Sequence, residues 1–177
     1  MGAAILLVLL SASLGLLGQT PDACEDRKFP KFEDYAASAY NGKPHLSILA
    51  TPLDHKYRTT IRDAAAKGVN FAGHYAVARW GCGTGCHEFV IVDLKTGVVY
   101  DPSFDEVDFH YGATDGSPRW QCYSDLITYR PDSSLLVVEG CLHGKQCGRT
   151  YLVMESGRLK QVAYDPDRLR DGKVAPF

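Results

Sequence analysis

Beyond its first 18 residues this chain has no uncharged apolar run approaching the ~18 residues that a membrane-spanning helix requires. It also has little excess charge. A formal net charge of −2 leaves no electrostatic footprint for nucleic acid or for an anionic membrane, so neither is expected as a partner. Internal repeats and low-complexity segments are missing, which points to one ordinary unit rather than an array or a linker. Lysine and arginine are absent from the opening, where Met1-Gly2-Ala3-Ala4 leads straight into Ile5-Leu6-Leu7-Val8-Leu9-Leu10. Leu6 stands where an N-myristoylation motif needs Ser or Thr, so lipid attachment at Gly2 is not expected.

What the N-terminus does have is an apolar stretch, then small residues up to Gly18, then polar sequence from Thr20. That order is characteristic of a secretory signal peptide. It predicts a leader over 1–18 and a single domain over 19–177, with no membrane attachment after cleavage. All six cysteines, Cys24, Cys82, Cys86, Cys122, Cys141 and Cys147, follow the leader. An even cysteine count in an exported chain reads as a disulfide framework, and the expected setting is periplasmic or extracellular.

Phe32, Tyr35, Ala36, Ala39 and Tyr40 recur at helical spacing before Asn41-Gly42, which predicts a first helix near 31–40. Tyr57, Ile61, Ala64 and Ala65 predict a second helix over 54–67, with Gly68 as its C-terminal cap. From Phe71 the apolar period falls to two, and strands are predicted at 72–80, 87–94, 97–101, 119–129, 134–141, 147–154 and 158–164. Short turns at Lys95-Thr96-Gly97, Arg130-Pro131-Asp132-Ser133 and Glu155-Ser156-Gly157 force antiparallel neighbours. The expected fold is α+β: two N-terminal helices packed on an antiparallel β-meander, or a partly closed barrel, stabilised by disulfides. The longest loop, 103–118, carries Asp105, Glu106, Asp108, His110 and Asp115.

The chain is organised around residues 71–94, FAGHYAVARWGCGTGCHEFVIVDL, where two strand-like runs flank a knot of glycine and cysteine. Gly81, Gly83 and Gly85 are expected to supply positive φ angles. Cys82 and Cys86 are expected to bridge each other, with Trp80 covering the bridge. Arg79, between Ala78 and Trp80, must be either exposed or paired. A locked turn would fix the directions of His74, Arg79, Trp80 and His87, and rigid aromatic and Arg side chains make good binding anchors. These four residues are the candidate binding set.

For the remaining cysteines, pairing Tyr129 with Ser134 around the Pro131 turn would set Cys122 opposite Cys141. Cys141 and Cys147, symmetric about Gly144, form the competing pair, in which case Cys122 turns to a remote partner such as Cys24. His74, Cys82, Cys86 and His87 are zinc-type ligands, but their spacing is no usual zinc pattern and export favours disulfides. Cys82 to His87 likewise misses the haem-attachment spacing by one residue. No metal and no cofactor is expected. A cysteine nucleophile would need a free thiol. His87 and Glu88, adjacent on a strand, point to opposite faces, and His74 with Asp105 is the other acid–base pair to consider.

Asn70-Phe71-Ala72-Gly73-His74-Tyr75, then Trp80-Gly81-Cys82-Gly83-Thr84-Gly85-Cys86, then Ile91-Val92-Asp93 through Tyr100, resembles a signature shared by a group of small exported bacterial proteins. The resemblance implies a periplasmic or secreted setting and brings no catalytic residues with it. The expected function is an exported binding module for a protein or small-molecule ligand, of the inhibitor or immunity type, rather than an enzyme. The alternative is a hydrolase or isomerase using His74 or His87 with a loop carboxylate.

Overall fold

The computed structural model describes residues 29–83, 86–102, 107–108, 125–142 and 146–166. It contains helices α1 (Pro52–Lys56) and α2 (Arg58–Lys67). Its eight strands are β1 (Tyr75–Gly83), β2 (Cys86–Asp93), β3 (Val99–Tyr100), β4 (Val107–Asp108), β5 (Ile127–Tyr129), β6 (Leu135–Leu142), β7 (Gln146–Glu155) and β8 (Arg158–Pro166). All strand pairs are antiparallel, in the order β1-β2-β4-β6-β7-β8, with β3 beside β2 and β5 beside β6. The antiparallel expectation holds. The sheet is not closed, because β1 and β8 end the path without pairing to each other, so the barrel alternative does not stand.

The sheet curls so that its two halves face each other. Tyr75, Val77, Phe89 and Ile91 of β1 and β2 share one apolar cluster with Leu136, Val138, Leu152 and Met154 of β6 and β7. Alternation along the strands leaves a second apolar row on each outer face. On β1 and β2 that row is Ala76, Ala78, Val90 and Val92, covered by Ile61 and Ala65 of α2. On β6 and β7 it is Leu135, Val137, Tyr151 and Val153, covered by Phe32, with Phe29 and Tyr35 packed alongside. Fully burying a side chain such as Ile61 contributes about 1.5–3 kcal/mol, which is why this narrow helical stripe suffices to dock α2.

The first predicted helix, 31–40, is a correction. Only Phe32–Tyr35 forms a single 3-10 turn, and residues 36–40 beyond it are not helical. Backbone groups that a helix would have satisfied internally find partners elsewhere. Ala37 N donates to Asp132 O at 2.8 Å, Tyr40 N to Gly73 O at 2.7 Å, and Ala36 bridges Ser133. Ala36 and Ala39 are exposed, so the helical spacing there did not mark a buried face. The second predicted helix is present but starts earlier, at Pro52. Thr51 Oγ1 accepts from Asp54 N at 3.1 Å, and the buried Asp54 carboxylate accepts from Ala50 N and Thr51 N. It is broken at Tyr57, whose φ and ψ of −104° and 21° leave the helical region. Gly68, with φ of 91°, caps α2 as expected.

The β5–β6 register is a second correction. Tyr129 pairs with Leu136, not Ser134, because Ser133 and Ser134 are drawn to the N-terminal segment: Ser133 Oγ donates to Phe32 O and Ser134 N to Tyr35 O, both at 2.8 Å. The shift removes the basis for setting Cys122 opposite Cys141. Cys122 and Cys24 themselves lie outside the described residues, as do strand residues 119–124 and the loop residues Asp105, Glu106, His110 and Asp115. Cys141 is disulfide-bonded, and the β6–β7 ladder sets Cys147 directly across from it. The short strand β4 comes from inside the predicted long loop and joins the ends of β2 and β6.

Candidate functional site

The FAGHY turn is a structural junction. Ala72 and Gly73 both take left-handed backbone, with φ of 46° and 77°. In this conformation Gly73 N donates to Pro131 O at 2.7 Å and Ala72 N to Ser133 O at 3.1 Å, while the Gly73 carbonyl receives Tyr40 N. Leu94 N donates to His74 O at 2.9 Å. Three other segments therefore meet at residues 72–74, and a Cβ on Gly73 would overlap the Ser38 carbonyl oxygen. Asp93 has an equally local task. Its carboxylate accepts from Lys95 N at 2.8 Å and Thr96 Oγ1 at 2.9 Å, holding the β2–β3 turn.

His74 lies beside this turn, with Nε2 4.0 Å from Asp93 Oδ1 and its ring against Tyr75. Burial holds its pKa below the usual histidine value, Lys95 adds to the depression, and Asp93 opposes it. Tyr75 is pushed up to about 12, chiefly by burial, with Asp93 and Tyr100 adding to the effect. His74 is thus a neutral, half-buried ring near neutral pH, next to a carboxylate already engaged by the turn.

The other candidates sit at the far end of the β1–β2 ladder, roughly 20 Å away at strand rise per residue. They also divide between the two faces. Arg79 pairs with Phe89, and Gly81 with His87, on the face toward the main core. Trp80 pairs with Glu88 on the helix side, where its Nε1–H donates to Glu88 Oε2 at 2.6 Å and its ring stacks on Tyr57 at 4.0 Å. The partners of Trp80 are therefore Tyr57 and Glu88, neither of which the sequence had paired with it. Arg79 is paired, its guanidinium meeting both Asp125 oxygens at 2.7 and 3.1 Å. The structure does not bring His74, Arg79, Trp80 and His87 together.

Cys82 and Cys86 are bridged, with Cα atoms 5.1 Å apart. The β1–β2 register shifts between Gly81 and Gly83, leaving Cys82 as an extra residue that kinks toward Cys86. Gly83 takes a positive φ of 157°, as expected, Gly81 does not, and a bulge between them forms the knot. Thr84 and Gly85 lie outside the described residues. Among the described residues there is no free cysteine and no group of three or more His, Cys, Asp or Glu placed to hold a metal ion.

A concave site lies elsewhere, in a cleft of about 490 Å³ between β3 and the β7–β8 turn. Its floor is the rim of the main core, Ile91, Met154 and Leu159. Tyr100 forms a wall and touches Tyr75, with ring centroids 6.3 Å apart, so the cleft adjoins the His74 corner. Asp101 and Arg158 supply charge of opposite sign. Ser156 and Gly157, with φ of 49° and 79°, turn the chain tightly enough to present Arg158 there. A Cβ on Gly157 would lie 2.7 Å from the Tyr100 ring, so the glycine lets the aromatic wall seat against the turn. Sequence reading passed over this site because two remote hairpins build it. Its one local signal was Arg158 directly after a tight Ser-Gly turn.

Comparison with known proteins finds no matching family model, no matching curated protein and no matching solved structure. No described helix is long and apolar enough to cross a membrane.

Proposed function

We propose that this chain is an exported, disulfide-stabilised binding module that takes a small ligand in the cleft between β3 and the β7–β8 turn. The observation that carries the reading is the cleft itself: Tyr100 and Leu159, at the edge of the main core, line it beside one acidic and one basic side chain. Ligand sites characteristically combine apolar walls with a few polar groups in a preformed hollow of about 300–1,000 Å³. Export rests on the leader-like N-terminus, the resemblance to small exported bacterial proteins and the Cys82–Cys86 bridge. Hydrolase or isomerase chemistry through His74 or His87 with a loop carboxylate is the second reading; the carboxylate beside His74, that of Asp93, is already engaged by the β2–β3 turn.

The test is an NMR screen of the oxidised protein against a mixed set of small molecules. Resonances of Tyr100, Met154 and Leu159 should move before those of Arg79, Trp80 and His87. Movement confined to the hairpin tip would overturn the cleft and return the binding surface to the knot.

A further inference from the structure

We propose that Asn41-Gly42 is a site of spontaneous modification, where the Asn41 amide is lost through a succinimide and the main chain is re-routed as isoaspartate. The chain has two asparagines, Asn41 and Asn70, and the structure prepares them for opposite fates. Asn70 is locked. Its Nδ2 donates to Val77 O at 3.3 Å and its Oδ1 accepts from Val77 N at 2.7 Å. The amide that follows it is held as well, Phe71 N donating to Tyr75 O at 3.1 Å. Asn41 and Gly42, by contrast, are exposed. Among the described residues neither the Asn41 carboxamide nor the Gly42 N–H has a hydrogen-bond partner.

The reaction needs the Gly42 nitrogen to reach Asn41 Cγ, a five-membered closure that requires both groups to be free to turn toward each other. The Gly42 nitrogen bonds to Cγ and gives up its proton. The Cγ–Nδ2 bond breaks, and the departing amide nitrogen takes that proton and leaves as ammonia. Water then opens the succinimide. Attack at Cγ gives aspartate, whereas attack at the α-carbonyl gives isoaspartate, in which the chain runs through the former side chain and carries one extra CH₂. A side chain at position 42 would crowd the closure, but a Cβ there would overlap the Tyr40 ring. The seat of Tyr40 therefore calls for the residue that leaves the reaction unhindered.

The product would act on the junction at residues 72–74 rather than on the cleft. Residues 41–44 span two anchors, Tyr40 N on Gly73 O at 2.7 Å and His45 N on Leu94 O at 2.9 Å. An extra CH₂ in so short a span shifts the Tyr40 ring off Gly42 and loosens the Tyr40–Gly73 bond.

The test ages the full oxidised chain at mildly alkaline pH, folded and in urea, and maps isoaspartate by peptide mass spectrometry with ammonia release as a second readout. In the folded chain Asn41 should convert at least tenfold faster than Asn70, and close to its own rate in urea. Asn70 should be the residue that folding protects. In N41Q the closure would need a six-membered ring, so ammonia release should fall at least tenfold; position 41 is exposed, and the replacement leaves the core intact. Hydrogen exchange at the Tyr40 N–H should speed up in aged wild type and stay unchanged in aged N41Q. Folded Asn41 converting at least tenfold more slowly than in urea, equal loss from Asn70 in the folded chain, or aspartate formed without isoaspartate would each overturn the proposal.

Discussion

Replacing Gly73 by alanine tests whether the FAGHY turn is the junction on which the fold depends. The φ of 77° costs a non-glycine residue about 1–2 kcal/mol. The added Cβ would overlap the Ser38 carbonyl oxygen, a backbone atom that can yield only if the segment around it moves. Moving that segment sacrifices the hydrogen bond from Tyr40 N to Gly73 O and loosens the one from Ala37 N to Asp132 O. Each is worth about 1 kcal/mol net. Together these effects put G73A about 3–4 kcal/mol below wild type, a large share of the about 5–15 kcal/mol that holds a typical domain together. In urea unfolding, a slope of about 1–3 kcal/mol/M turns that loss into a midpoint about 1–4 M lower. Ala72→Gly is the control. It releases left-handed strain at φ 46° and loses one buried methyl worth about 0.8 kcal/mol, so it should be nearly neutral. A G73A midpoint within about 0.3 M of wild type would refute the reasoning.

The Glu139–Arg149 pair, joined at 2.7 Å and buried, sets a second test. Arg149→Met should cost about 3–5 kcal/mol because Glu139 is left buried without its partner, whereas E139L/R149M should recover most of that loss in the same thermal melt. Cys82→Ser with Cys86→Ser should lower stability by about 2 kcal/mol on the loop-entropy estimate for so short a ring. Non-reducing peptide mapping should recover the two cysteines linked in wild type, and finding free thiols there would contradict the bridge. The folded-state pKa of His74 is depressed below 6.5, so the unfolded chain takes up the proton first. Its contribution is present above pH 6.5 and is lost as pH falls from there through the folded value. His74→Gln should therefore flatten stability against pH in that window.

The antiparallel strands were legible because apolar alternation and short Gly- or Pro-bearing turns are local signals. The β2–β3 and β7–β8 turns lie where Lys95-Thr96-Gly97 and Glu155-Ser156-Gly157 placed them. The segment 31–40 misled because Phe32 and Tyr35 pack on β6 and β7, remote in sequence, while Ala36 and Ala39 face solvent. Helical spacing cannot distinguish a buried stripe from that coincidence. The β5–β6 register was missed for a related reason: the Phe32 and Tyr35 carbonyls, nearly a hundred residues upstream, compete for Ser133 and Ser134. At the candidate site, the composition of the knot drew the eye to residues that turn out to be paired or divided between faces. Tyr100, Asp101 and Arg158 meet only after two hairpins fold toward each other, and no window of sequence contains them all.

The N-terminal segment also constrains the order of assembly. Residues 32–40 have no sheet of their own and are held by Gly73, by Asp132 and by Ser133 and Ser134. Hairpin β1–β2 and the run from β5 to β8 are each local in sequence and can pair without that segment, but it cannot dock until both have formed. In any process that delivers the chain N-terminus first, the earliest described residues are thus among the last to find their places. Closing loops of that length adds an entropic barrier late in folding. Until then Phe32 remains uncovered, and so does the outer row of β6 and β7 that it shields.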